Sequence, residues 1–162
     1  MLKHAKGNLI TMAENGEFDI IVHGCNCHCT MGSGIAREVR ERYPMAYEED
    51  CKSEPGDIEK LGMYTLSISS LDEAAEHRFA IVNAYTQFGF NKAGESTDVF
   101  EYESFAVILR KLEHKASNQR FGFPYIGMGL AGGDKVRIMA MLEAFAEKVT
   151  AKGGEVTLVE FA

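Results

Sequence analysis

Long apolar runs are missing from this chain of 162 residues, and none approaches the length of a membrane span, so a membrane-spanning protein is not expected. Positive charge is also in short supply. Lys and Arg number 17 against 24 Asp and Glu, and a formal net charge of −7 repels a polyanion. That balance argues against long DNA or RNA as a partner. It still allows a small phosphorylated ligand held by oriented backbone N–H groups. Internal repeats, low-complexity tracts and linkers are absent too. With 46% apolar residues, the length suits one well-buried core and is too short for two ordinary domains, so residues 1–162 are expected to form a single domain.

Metal and nucleotide signatures are likewise lacking. Three of the four cysteines alternate as Cys25, Cys27 and Cys29, too close and too even for a CxxC knuckle, and no metal site is expected. On an extended segment that alternation sends the thiols to one face. With no secretory signal at Met1, the thiols are expected to be reduced and the protein cytoplasmic. Gly32-Ser33-Gly34 has Arg37 where a GxGxxG fingerprint needs its third glycine, and no glycine loop runs into Lys-Ser or Lys-Thr. No cofactor is expected.

What the chain does contain is centred on residues 18–36. Phe18, Ile20, Ile21 and Val22 read as a buried strand. Residues 23–33 then bring together an imidazole, an amide, three thiols and glycines, and a helical pattern follows. Ligands of α/β sheets bind outside the carboxyl ends of strands, where a helix N-terminus can face an anion, so this is expected to be a binding loop. An ordinary strand-to-helix turn is the plainer alternative.

Residues 1–6 suggest a first strand, followed by a turn at Gly7-Asn8-Leu9-Ile10 and a turn signal at Asn15-Gly16. Ile35, Val39, Arg42 and Tyr43 suit a helix ended by Pro44, with Tyr47 and Cys51 on a further helical turn. The charged residues 48–60 are expected to form a surface loop. Residues 61–69 and 78–86 read as a hairpin, residues 88–97 as a loop over one end of the sheet, and residues 98–118 as a long amphipathic helix. A short aromatic strand over 120–126 leads to the glycine loop Gly127-Met128-Gly129-Leu130-Ala131-Gly132-Gly133-Asp134. A last helix and a strand over Val156, Leu158 and Phe161 close the chain. The alternation predicts an α/β fold, a three-layer α/β/α sandwich around a mixed sheet.

Four stretches in order carry a family resemblance: Gly7-Asn8-Leu9-Ile10; Ile21 to Cys27 with Met31-Gly32-Ser33-Gly34-Ile35-Ala36; Val82-Asn83-Ala84-Tyr85-Thr86-Gln87; and Gly127 to Gly133. The sequence resembles a macro domain, in the branch that includes ADP-ribose 1″-phosphate phosphatases. The resemblance implies ADP-ribose or a derivative as ligand. It places Asn8, where many members have an aspartate, at the adenine amino group, with Leu9 offering its backbone N–H. Phe161 falls where an aromatic packs on adenine, with plain core packing as its alternative. Asn26 matches the asparagine at the distal ribose. Gly32, Ser33, Gly34 and Ile35 match the first phosphate loop, and Gly129, Leu130, Ala131, Gly132 and Gly133 the second, with Ala131 departing from the usual aromatic.

His23 and Asp134 are then the acid–base candidates, with Asn26 orienting the ribose or a water. Each has a structural alternative: a histidine at a strand end can satisfy a backbone group, and an aspartate that opens a helix is often its cap. The lysine that a related branch uses as nucleophile has no counterpart in residues 82–87. Hydrolysis of ADP-ribose 1″-phosphate is therefore the expected reaction. Ester hydrolysis of an ADP-ribosyl or acetyl derivative, and ligand reading without reaction, are the alternatives.

Overall fold

The structure is a computed structural model that describes residues 1–90 and 99–162. Residues 18–25 are buried almost throughout, and the strand formed there, β2 (Ile20–Cys25), lies inside the sheet with parallel neighbours on both sides. Continuous apolar strands need cover on both faces. Its neighbours are β4 (Ala80–Tyr85) and β5 (Arg120–Phe123), and β6 (Glu155–Phe161) and β1 (Leu2–Gly7) extend the parallel part. The strand β3 (Tyr64–Ile68) pairs antiparallel with β4 as the expected hairpin, giving the order β1-β6-β5-β2-β4-β3. The mixed sheet anticipated from the alternation is present.

One face is covered by α4 (Tyr102–Ala116) and α5 (Lys135–Ala151). Their apolar stripes meet an aromatic cluster in which the Phe121 and Phe145 rings lie edge to face with centroids 5.2 Å apart. The other face is covered by α1 (Leu9–Glu14), α2 (Gly34–Arg42) and α3 (Pro44–Cys51), which bury Ile10, Val39 and Ala46 against Ile21 and Ile81. Helices on both faces make the three layers.

Three local expectations are corrected. The segment expected to turn after Gly7 is instead the short helix α1, because the Asn8 side chain accepts from the Thr11 N–H at 3.0 Å and caps it. Pro44 does more than end α2: it opens α3 at the first helical position, where its missing N–H costs nothing. Residues 48–60 are not wholly a surface loop, since Asp50 on α3 and Lys60, in a 3-10 turn over Ile58–Lys60, are both buried. The loop expected over residues 88–97 lies, from residue 91 onward, outside the described residues. Because β2, β4 and β5 run parallel, their carboxyl ends share one edge, and the loops after β2 and β5 meet there. Among the described residues no helix is long and apolar enough to cross a membrane.

Candidate functional site

Two cavities adjoin at this edge. The larger, of about 710 Å³, lies between the loop after β2, the start of α2 and the loop after β5; the smaller, of about 430 Å³, lies beside the ends of β1 and β6. Gly34 and Ile35 belong to both walls, so the first glycine loop bridges the two. Gly34 has φ +57, a left-handed conformation that side chains rarely adopt, and it opens α2. The N-terminal N–H groups of that nine-residue helix therefore start at the bridge.

The loop after β2 is held from its own side chains and from below. The Asn26 amide oxygen accepts from the His28 N–H at 2.8 Å, and its amide nitrogen donates to Thr30 Oγ1 at 2.7 Å. Lys60 Nζ and the Gly56 N–H both donate to the Cys27 carbonyl, at 3.1 and 2.8 Å, and Tyr47 donates to the Cys29 carbonyl at 3.2 Å. These ties fix a loop in which Cys29 and Met31 have positive φ. Such backbone is costly for residues with a Cβ, and persists where surrounding contacts over-determine it. The Cys25 and Cys27 thiols pack into the layer under α1 to α3, and Cys29 Sγ lies 3.5 Å from Lys60 Nζ; all four cysteines are free.

The second loop owes its shape to glycine. Gly132 has φ +73, and a Cβ on Gly133 would lie 2.6 Å from the Gly127 carbonyl oxygen, to which the Gly133 N–H donates at 2.7 Å. These two residues therefore fold the loop back on itself and are not in the cavity wall, which takes Gly129, Leu130 and Ala131.

Of the residues expected in the site, the larger wall also holds Asn26, Gly32, Ser33, Gly34 and Ile35, and the smaller holds Leu9 and Phe161. Phe161 is 78% exposed, so it is not a core residue. Asn8 is in neither wall: its oxygen caps α1 and its nitrogen donates to Glu38 at 2.9 Å. The carboxylate at this end belongs to Glu38, which lines the smaller cavity with Tyr125. Neither stood out in the sequence.

Both acid–base candidates also lie outside the walls. His23 is 1% exposed on the face of β2 turned toward α3, and its Nε2 sits 2.6 Å from Asn83 Oδ1 on the neighbouring strand. The Asn83 amide nitrogen donates to the Ala46 carbonyl and Thr65, so its oxygen accepts and His23 donates. Burial pulls the imidazole down to about 4, against a smaller upward pull from Asn83, and His23 is neutral at pH 7. Asp134 caps α5, accepting from the Val136 N–H at 2.9 Å. The capping alternative matches the geometry of Asp134, while His23 satisfies a side-chain amide and not the backbone group its alternative expected.

The titratable side chains among the described residues of the larger wall are Cys25 and Asp50. Burial pushes the Cys25 thiol well up, which keeps it protonated. Asp50 is 1% exposed; Tyr85 donates to its Oδ1 at 2.6 Å, and its Oδ2 has no partner among the described residues. Burial pushes its carboxyl up, opposed by the Tyr85 hydrogen bond and the Lys60 charge. The signal that could have found it is the spacing Ala46 and Asp50, four apart on one face of α3. Among the described residues no three His, Cys, Asp or Glu side chains gather to hold a metal. The wall thus offers amide groups, one alcohol-bearing loop and one carboxyl, with no cationic side chain among the described residues.

No family model matches the chain. It is similar to an uncharacterized 17.5 kDa protein of Enterobacteria phage T4, 30% identical over 154 residues and 92% of both chains. It is also 28% identical over 116 residues, 69% of each chain, to an ADP-ribose 1″-phosphate phosphatase of Candida albicans. In fold it resembles a Trypanosoma brucei macrodomain solved with ADP-ribose, with a TM-score of 0.64, 15% identity, and coverage of 99% of this chain and 63% of that one. The six-stranded mixed sheet between two helical layers, the glycine loops after β2 and β5, and these likenesses converge: the chain has the macrodomain fold.

Proposed function

We propose that residues 1–162 act as one macrodomain that binds ADP-ribose and hydrolyses ADP-ribose 1″-phosphate to ADP-ribose and phosphate. The observation that carries the binding is the pair of cavities joined at Gly34 and Ile35. Each falls within the roughly 300–1,000 Å³ of ordinary ligand pockets, and a two-part ligand needs two lobes and a bridge. In this reading the adenine occupies the smaller lobe between Ile35, Tyr125 and Phe161, with the Leu9 N–H and the Glu38 carboxylate as its polar partners. The diphosphate crosses at the start of α2, where N–H groups and the helix dipole hold it without a cation. The distal ribose reaches Asn26. The relatives named as ADP-ribose 1″-phosphate phosphatases support the reaction. A reducing cytoplasm suits the four free thiols.

The placement of His23 and Asp134 outside the walls favours a second reading, a module that binds ADP-ribose without reaction. Two measurements test both. ADP-ribose should raise the melting temperature well above any shift caused by AMP, which fills one lobe only. ADP-ribose 1″-phosphate should then release phosphate. Binding without release leaves the reader; no shift with ADP-ribose sinks both readings.

A further inference from the structure

Hydrolysis needs a group that moves a proton, and the two residues expected to do so are occupied elsewhere. We propose that Asp50 is the catalytic proton carrier of the cleft, its second carboxyl oxygen serving the bond between the distal ribose and the phosphate; the inference rests on the phosphatase reading above.

Asp50 is the one carboxyl among the described residues of the larger wall, and it is buried with a carboxyl oxygen unpartnered. A buried polar atom is normally paired, and an exception in a cavity wall points to a ligand group as the missing partner. Its other oxygen is fixed by the Tyr85 hydroxyl, itself held 3.1 Å from Thr65 Oγ1 and 3.4 Å from Ser53 Oγ. Lys60 does not neutralise it by a direct pair: its ammonium is spent on the Cys27 carbonyl and the Cys29 thiol, and it lies over the Tyr85 ring, 4.5 Å from the centroid. The carboxyl is thus oriented on one side and unpartnered on the other. Burial, which pushes it up, also brings its protonated form closer to working pH, as a carboxylic acid catalyst requires.

The step balances without a further reactant. Water oxygen forms a bond to phosphorus, and the bond from phosphorus to the 1″ oxygen breaks with its electron pair on that oxygen. Protonated Asp50 gives its proton to the departing 1″ oxygen, and a proton of the attacking water returns to the carboxylate. ADP-ribose and inorganic phosphate leave, and Asp50 is ready again.

The test compares Asp50→Asn with the wild type in three measurements: phosphate release from ADP-ribose 1″-phosphate, ADP-ribose affinity by calorimetry, and melting temperature. Asparagine keeps the shape and can still accept from Tyr85 but cannot carry the proton. The expected result is a kcat lowered by about 100-fold or more with the ADP-ribose Kd within about threefold of wild type. A wild type that turns over beside an Asp50→Asn variant that does so within threefold overturns the role of Asp50 alone. A wild type that binds ADP-ribose and releases no phosphate overturns the phosphatase reading, and this role with it. Should Asp50→Asn not fold, Tyr85→Phe serves: loss of the orienting hydroxyl should lower kcat about tenfold with Kd unchanged, and an unchanged kcat overturns the proposal.

Discussion

The two faces of the sheet are built from different materials. Under α4 and α5, β5 presents Phe121 and Phe123 to Phe105 and Phe145 in edge-to-face contacts, and the cover there is largely apolar. Under α3, the outer part of the other face buries His23, Asn83, Tyr85, Asp50 and Lys60, each tied by hydrogen bonds. Apolar burial is non-directional and stabilises wherever it is packed, whereas a buried polar network repays its desolvation only when its members are paired. The α4 and α5 face is thus held chiefly by apolar packing, while the face that carries the binding loop adds a buried polar network to its apolar cluster. Cys27 and Cys29, the backbone of that loop, hang from Lys60 and Tyr47 rather than from apolar contacts alone.

The largest effect expected from breaking this contrast is on the aromatic side. Phe121→Ala removes a ring that is fully buried and should lower the unfolding free energy by about 3–5 kcal/mol, read from urea denaturation. ADP-ribose affinity, measured well below the denaturation midpoint, should hardly move.

Acid should act on the polar face instead. His23 binds a proton at about 4 in the folded protein and at its ordinary 6.5 when unfolded. The unfolded chain therefore takes up more protons between these values, and stability is lost as pH falls from about 6.5 to about 4, by on the order of 3 kcal/mol. Asp50, whose carboxyl is pushed up, works in the opposite sense and offsets part of that loss. Denaturant unfolding across this pH range should show the decline in the wild type and a flatter curve in His23→Gln. An equally steep curve in the variant would assign the acid sensitivity elsewhere.

The smallest effect is expected at Asp134. Asp134→Ala removes the cap of α5 and should cost about 1 kcal/mol of stability while leaving phosphate release within about threefold, because the side chain faces its helix and not the cleft. A hundredfold loss of turnover in a folded Asp134→Ala protein would return it to the chemistry.

Much of this was legible in the chain itself. The β-branched run of β2, the hairpin of β3 and β4, and the stripes of α4 and α5 declare themselves by local period, and both glycine loops fall at strand ends. The helix α1 escaped because six residues are too few for a period, and only its Asn8 cap betrays it. The site was legible in its loops and not in its floor. His23 alternates with Ile21 and Cys25, which fixes its face but not which helix covers that face; the register that sets it beside Asn83 spans 60 residues. Asp50 and Lys60 looked like surface charge because a sequence shows polarity and not burial, and their burial depends on α3 and the 3-10 turn folding under a loop far away in the chain.

Whether one ligand spans both cavities across the start of α2 is decided by a calorimetric titration of ADP-ribose into wild type and Gly34→Val. Gly34 has φ +57 and belongs to both walls, while a Cβ there meets nothing within 4 Å, so valine should disturb the bridge through its backbone without displacing a packed neighbour. The expected result is one ADP-ribose per wild-type chain, with AMP binding far more weakly, and at least a hundredfold weaker ADP-ribose binding by a folded Gly34→Val protein. No binding by the wild type, or undiminished binding by Gly34→Val, would contradict it.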